Sequence, residues 1–397
     1  MRADVGRRLF ALVCVGATVG VLRFSRLFQV GTFAAAAGIR KLLGTSVASR
    51  PGPHASEWDH LTPPDTKPVS RVSRVAITHH PWYQHHRASD ACSCLAEAAA
   101  LGLGHIRSDV RWKDVIPDTN TPDEDAFRWY RSYFTAARDW YGLQPLIVLS
   151  EAPRAFGRLN EEARMNAWKL YVEQVIFRLG DLCQIYQVFN EPNNPVYRFF
   201  RRSEQAAALT LASNAIKSRL PHAQLALNLL LDLPNWKQTL IQLLADSGDA
   251  VDIISVDSYP GTWSLGVGPG WSGAIELASE IRHAAPGSVW TGRKLAIMET
   301  GYTTNIGRFR TQKQQADYFA SLQEVTHSLD SALGQRGLEL LGLYEICDDD
   351  SSVFLDPEAH FGLLTSTFRR KAGFRAVQHL CSSLAASQVL EPALRQR

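Results

Sequence analysis

From about residue 70 onward, a short β-branched or apolar run alternates eight times with a longer helix-like segment. The runs lie at 71–77, 104–107, 145–149, 185–189, 224–228, 251–256, 294–298 and 340–344. The segments that follow them, at 90–101, 123–141, 161–179, 203–220, 235–246, 273–284, 312–329 and 368–384, have helical patterning. Runs that are apolar throughout suit strands covered on both faces, as in a parallel sheet packed between layers. Strict strand–helix alternation requires right-handed parallel crossovers, and a count of eight predicts closure. The expected fold is therefore α/β, a single-domain (β/α)8 TIM barrel with an N-terminal hydrophobic and linker extension. An open doubly wound sheet would need a Gly-rich phosphate turn after an early strand, and the sequence has none.

The expected barrel domain covers 71–387, with 388–397 as a C-terminal tail. Ahead of it, Arg7 and Arg8 precede an apolar run at 9–22, shorter than the roughly 20 residues a membrane span needs. A second apolar stretch at 27–39 follows Arg23 and Arg26, and no acidic residue lies between Asp4 and Glu57. Residues 1–48 are thus expected to be a signal peptide or membrane anchor, giving a secreted or membrane-attached protein, with an organelle transit segment as the alternative. Pro51, Pro53, Pro63, Pro64 and Pro68 mark 49–70 as a linker.

Composition narrows the partners. A net charge of +3 gives no reason to expect nucleic acid. Ten tryptophans are many for the length, and supply both core volume and flat faces for sugar rings. The cysteines Cys14, Cys92, Cys94, Cys183, Cys347 and Cys381 lack zinc-site spacing and read mostly as buried thiols, with one disulfide left open. No N-glycosylation acceptor occurs. The chain is expected to act as a monomer, without metal or organic cofactor.

In a barrel of this kind chemistry sits at the C-terminal ends of the strands. The first run ends in Thr78-His79-His80, the second in Arg107-Ser108-Asp109, and the third in Ser150-Glu151. The fourth ends in Asn190-Glu191-Pro192, the sixth in Asp257-Ser258-Tyr259, the seventh in Glu299-Thr300-Gly301-Tyr302, and the eighth in Tyr344-Glu345. A carboxylate directly after an apolar strand is costly to bury unless it is used or paired. Glu191 and Glu299, on strands four and seven, can flank a ring bound across the mouth. Glycoside hydrolysis needs such a pair, with a separation of about 5–5.5 Å for a covalent route and a wider one for direct attack by water.

The segments IYQVFNEPNN at 185–194 and AIMETGYTT at 296–304 resemble the acid/base and nucleophile strands of clan A, the large group of retaining glycoside hydrolases on (β/α)8 barrels. The resemblance runs from about 72 to 385 and ends in Phe361-Gly362-Leu363-Leu364 and Arg369-Arg370-Lys371-Ala372. It implies Glu191 as acid/base, Glu299 as nucleophile and an oligo- or polysaccharide substrate with β-linkages. It also implies that Arg107 holds the nucleophile carboxylate, Asn190 contacts a substrate hydroxyl and Tyr259 hydrogen-bonds the nucleophile. Two positions depart from the clan pattern: Asp257 stands where many members have His, and Tyr344 where many have Trp.

Other strand-end residues are expected nearby. His79, His80, His85 and His86 lack a carboxylate or thiol at ligand spacing, so His80 or His79 is read as a sugar-hydroxyl contact rather than a metal ligand. Trp263 and Trp271 occupy a Gly-rich stretch after strand six and can stack on sugar or pack the loop. Trp82, Tyr302 and Tyr344 are further candidates to line the site. Glu151 and Glu345 read as supporting carboxylates, and Asp348-Asp349-Asp350 as a solvated acidic turn. The competing functions are a transglycosylase on the same scaffold, a non-catalytic carbohydrate-binding barrel and a phosphate-metabolite barrel; the last lacks the Gly-rich site expected after strands seven and eight.

Overall fold

The computed structural model describes residues 53–65, 73–84, 87–260, 262, 270–304, 310–349 and 357–394. The strands are β1 (Val75–Thr78), β2 (His105–Arg111), β3 (Gln144–Ser150), β4 (Ile185–Val188), β5 (Gln224–Leu230), β6 (Ile253–Asp257), β7 (Lys294–Glu299) and β8 (Leu341–Leu343). They form a closed parallel barrel in sequence order, with β1 paired to both β2 and β8. The crossover helices are α1 (Ala88–Ala100), α2 (Glu124–Thr135), α3 (Glu161–Leu179), α4 (Arg202–Arg219), α5 (Trp236–Ser247), α6 (Trp271–Arg282) and α7 (Gln312–Leu333), with α8 (Ala372–Leu394) following β8. The expected (β/α)8 barrel is thus the observed one.

Local chemistry sets the helix starts. The Asp123 carboxylate accepts from the N–H groups of Asp125 and Ala126 at the head of α2, and Asn160 accepts from Ala163 N at the head of α3. Thr311 and Gln314 cap each other's backbone at the head of α7. The expected helix at 123–141 changes its winding after Thr135. Residues Ala136–Trp140 form a π turn in which Tyr141 N donates to Ala136 O.

Two cores result. A large one joins strand exteriors to helices. A small one fills the barrel with Leu146, Val148, Ala226, Ile253, Ala296, Met298 and Leu340. The interior is a packed plug and not a pore, so substrate can approach only at an end. The plug forces close backbone contact: a Cβ on Gly342 would lie 2.1 Å from Met298 O. Gly301, two residues beyond Glu299, is equally confined, with a Cβ 2.1 Å from Tyr344 O. Gly301→Ala is expected to push the β7 and β8 ends apart and cost about 1–3 kcal/mol, read as a lower urea midpoint at unchanged slope.

Part of the span expected as linker is packed instead. A 3-10 turn, Ala55–His60, buries Trp58 edge-on against Trp129 at 5.7 Å and beside Trp140 at 6.3 Å. An indole with apolar neighbours in reach gains more from burial than a Pro-rich tether gains from solvation. The expected leader and the rest of the linker lie outside the described residues. The five described cysteines are free, with Cys94, Cys183, Cys347 and Cys381 buried. Among the described residues no helix is long and apolar enough to cross a membrane.

Candidate active site

Above the apolar plug the inward-facing side chains turn polar. Two local irregularities aim the carboxylates. In β5 and β6 the two-residue period carries the interior face from Ala226 to Asn228 and from Ile253 to Asp257. In β7 the period breaks. Val256 pairs with Ile297 but Asp257 pairs with Glu299, so Met298 is an extra residue. This bulge turns both Met298 and Glu299 inward, where regular pleating would send Glu299 out to the helices.

At the end of β4 the backbone enters the left-handed region at Phe189, φ 68°, and again at Glu191, φ 43°. Such conformations cost about 1–3 kcal/mol each for residues other than glycine. Burial of the Phe189 ring against Trp168 at 5.4 Å, Phe199 at 5.6 Å and Phe200 at 5.7 Å offsets the cost. The outward turn at Phe189 leaves Glu191 over the mouth.

One oxygen from each of Glu191, Asp257 and Glu299 lies within 4.8 Å of the others, and all three residues are buried. The Arg107 guanidinium anchors the group. Its Nη1 donates to Glu299 Oε1 at 2.7 Å and to Thr78 Oγ1 at 3.1 Å. Nε donates to Gln187 Oε1 at 2.9 Å, and Nη2 to Asn190 Oδ1 at 3.1 Å. Tyr259 OH donates to the other Glu299 oxygen at 2.5 Å. On the opposite side Asn194 Nδ2 donates to Glu191 Oε2 at 2.7 Å, and the Glu191 N–H donates to Asn228 Oδ1 at 2.9 Å. Asn228 Nδ2 also donates to Asp257.

The two glutamates have unlike surroundings. Burial first, and the Glu299 charge second, push the Glu191 carboxyl up to about 8, against the opposing Asn194 hydrogen bond. Asp257 is also raised well above the usual carboxylate range, by burial and by the charges of Glu299 and Glu191. The Tyr259 phenol is held neutral by burial and by the Glu299 charge. Three acidic oxygens this close could in geometry bridge a divalent cation. The Arg107 cation is already bonded to the cluster, and burial together with the remaining repulsion raises the Glu191 and Asp257 carboxyls.

A second group lies beside the first. His80 Nδ1 meets Asp109 Oδ2 at 2.8 Å, and Ser150 Oγ donates to Asp109 at 2.8 Å. Burial raises the Asp109 carboxyl, but the His80 hydrogen bond and the His80 and Arg107 charges outweigh it and hold it well below the ordinary range. Glu345 accepts from Gln84 Nε2 at 2.7 Å and lies 4.0 Å from His80 Nε2. Its carboxyl is pushed well up by burial and by the charges of Asp349 and Glu358. Tyr344 packs edge-on against Tyr259 at 5.9 Å and His80 at 5.8 Å.

Of the residues expected from sequence, the structure gathers Glu191, Glu299, Arg107, Asn190, Tyr259, His80 and Tyr344. Tyr302 stacks obliquely on Tyr318 of α7 at 5.7 Å and lies under Arg310. His79 points the other way from His80, bonding Tyr133 OH at 2.8 Å, because adjacent residues of an extended chain face opposite sides. Half-buried Trp82 stacks on Tyr130 at 5.4 Å, and half-buried Trp271 packs against the outer core. Trp263, His85, His86 and Asp350 lie outside the described residues. Sequence reasoning assigned no role to Gln187, Asn194, Asn228 or Asp257. The two-residue spacing of Gln187 from Ile185, of Asn228 from Ala226 and of Asp257 from Ser255 places them on interior faces and could have found them.

No family model and no curated protein sequence matches this chain. Solved structures do. A family 39 glycoside hydrolase from the gut symbiont Bacteroides cellulosilyticus WH2 aligns with TM-score 0.63 at 19% identity, covering 80% of this chain and 64% of that one. The exo-β-1,4-mannosidase Op5Man5 from Opitutaceae bacterium strain TAV5 aligns at 0.58 and 14%, over 82% and 63% of the two chains. A GH5_18 protein from Streptomyces cattleya, solved in complex with GlcNAc, aligns at 0.58 and 17%, over 80% and 81%. The chain thus spans under two thirds of the length of the first two. At this level of identity the likeness establishes a shared architecture: the chain has the (β/α)8 barrel of these proteins.

Proposed function

We propose that the chain is a retaining β-glycoside hydrolase, with Glu299 as nucleophile and Glu191 as acid/base. The reading rests on one observation: two buried carboxyl groups with oxygens within 4.8 Å, only one of them ion-paired. That spacing suits the covalent route, whose carboxyl groups stand about 5–5.5 Å apart; a direct water attack needs about 6.5–9.5 Å. Two of the solved neighbours, a family 39 glycoside hydrolase and an exo-β-1,4-mannosidase, agree with the reaction class.

In the first step Glu299 attacks the anomeric carbon while the Glu191 proton passes to the departing glycosidic oxygen. The C–O bond to the leaving group breaks as the bond to Glu299 forms. In the second step Glu191, now ionised, takes a proton from water, and the hydroxide oxygen displaces Glu299 from the sugar. Tyr259 and Arg107 orient the attacking carboxylate, and Asn190 faces the same space. The substrate is an oligo- or polysaccharide, and no step calls for a metal or an organic cofactor.

Glu191 donates only when protonated, so kcat/KM on unactivated glycosides is expected to fall as pH rises through about 8. A pH profile flat to pH 10 would contradict the assignment. The decisive experiment is inactivation with an activated 2-deoxy-2-fluoro β-glycoside followed by peptide mapping. The adduct should sit on Glu299. Turnover of aryl β-glycosides with no adduct on Glu299, or with the adduct on another residue, would overturn it.

A further inference from the structure

Two loops at the C-terminal end of the barrel carry five arginines between them. The first, after β3, contains Arg154 and Arg158 in a 3-10 turn; the second, after β4, contains Arg198 and Arg201 and runs into Arg202, the first residue of α4. Residues 152–160 and 195–203 contain no acidic side chain. Arg154, Arg158, Arg201 and Arg202 are exposed and Arg198 is half-buried. The nearest acid after them in the second loop, Glu204, is buried and already bonded to Arg164. Among the described residues none of the five guanidinium groups is in an ion pair, whereas Arg111 and Lys113 on the neighbouring β2 loop both pair with acids.

Aromatic packing holds the two loops together. Phe156, between Arg154 and Arg158, packs on Phe200 at 5.1 Å and on Phe199 at 5.9 Å. Arg198, Phe199, Phe200, Arg201 and Arg202 line an open cleft of about 470 Å³. Residues two apart on a chain lie within about 7 Å, so the backbone of Arg154 and of Arg158 stands close to the ring that packs on the cleft wall. Arg198, Arg201 and Arg202 line one cleft with no acid among its lining residues, and an anion bound there would be attracted by all three. The planar fork binds carboxylate and sulfate through two parallel hydrogen bonds.

The cleft is joined to the carboxyl pair by a single turn. Asn194 donates to Glu191 through its side chain, and its carbonyl accepts from Arg198 N at 3.1 Å. The turn therefore sets the cleft on the Glu191 side of the carboxyl pair.

We infer that the arginine-lined cleft beyond Glu191 is a leaving-group subsite for an anionic glycan, one bearing carboxylate or sulfate groups. The inference rests on the hydrolase reading for its placement along the substrate. Phe199 and Phe200, packed on each other and on Phe156, give the cleft a firm apolar floor, and the arginines select for charge. The modest net charge of the whole chain argues against a general polyanion surface of the kind nucleic acid would need.

The test uses the full chain, hyaluronan decasaccharide as the acidic probe and the carboxyl-reduced decasaccharide as its neutral twin. Binding is measured by calorimetry at low salt. The acidic probe is expected to bind at least about tenfold tighter than the neutral one. Arg158→Glu/Arg202→Glu, which touches neither carboxyl, is expected to abolish that difference while leaving kcat/KM on a small neutral aryl β-glycoside unchanged. Equal binding of the two probes overturns the inference, as does a double variant that binds like the parent. Single-stranded DNA bound more tightly than the acidic probe also overturns it, in favour of a nucleic-acid surface. The aryl glycoside separates the two readings: acidic-glycan binding without turnover keeps the cleft as an anion site but removes the hydrolase and with it the leaving-group role, and turnover without binding keeps the hydrolase and removes the subsite.

Discussion

Glu299→Gln is expected to lower kcat on aryl β-glycosides by on the order of 10⁴- to 10⁶-fold, the range seen when a covalent nucleophile is removed. The amide has nearly the shape of the carboxylate but no charge, so it cannot attack the anomeric carbon at a useful rate. The substitution also changes its surroundings in a way that can be measured. The Glu299 charge is the second cause of the raised Glu191 carboxyl and of the raised Asp257 carboxyl. Both groups should therefore move down when it is removed, Glu191 from about 8 toward ordinary values. Carbon-detected titration of the side-chain carboxyls would follow this. Arg107 keeps its bonds to Gln187, Thr78 and Asn190, and an ionised neighbour restores its counter-charge. The variant should fold. A variant that retains a tenth of parent activity would remove Glu299 from the mechanism.

Glu191→Ala should show a different signature. The proton supplied to a departing oxygen is worth about 10²- to 10⁴-fold, and more for a poor leaving group than for a good one. Alkyl and sugar leaving groups should lose most of their rate in the variant. A dinitrophenyl leaving group departs without help, so its first step should persist and the glycosyl-enzyme should accumulate, seen as a burst. Azide, which needs no base, should release that intermediate and yield the β-glycosyl azide. Equal losses for good and poor leaving groups, with no effect of azide, would show that Glu191 is not the acid/base. Because the group whose deprotonation sets the alkaline limb is gone, the pH profile of the variant should lose its fall near 8.

The architecture was legible in the chain because it depends on a repeated signal. Each apolar run must be buried on both faces, each helix must cover one, and eight such units can close only one way. The α3 limits match the expected span to the residue, since Asn160 and the capping bond to Ala163 mark its start in local chemistry. The acidic pair was legible for a related reason: a glutamate at the end of an apolar strand has no cheap structural purpose.

Other features depended on neighbours distant in sequence. The linker segment around Trp58 looked like a tether until Trp129 and Trp140, far along the chain, supplied a pocket for the indole. Tyr302 follows a barrel strand as the others do, and its ring partners, Tyr318 and Arg310, come from α7 and the loop before it. Asp257 read as a departure from a familiar pattern, and in the fold it becomes a third acid at the same centre.

Residue order by itself determined which side chains stand at the strand ends, and hence that Glu191, Glu299, Arg107 and Tyr259 would reach one mouth. Tertiary structure alone decided where they point. An extra residue at Met298 turns Glu299 inward, and a left-handed backbone at Phe189, held by three packed rings, sets Glu191 opposite. The periodicity of a strand specifies two faces and no more, so a carboxylate that must break the period can be placed only by the packing around it.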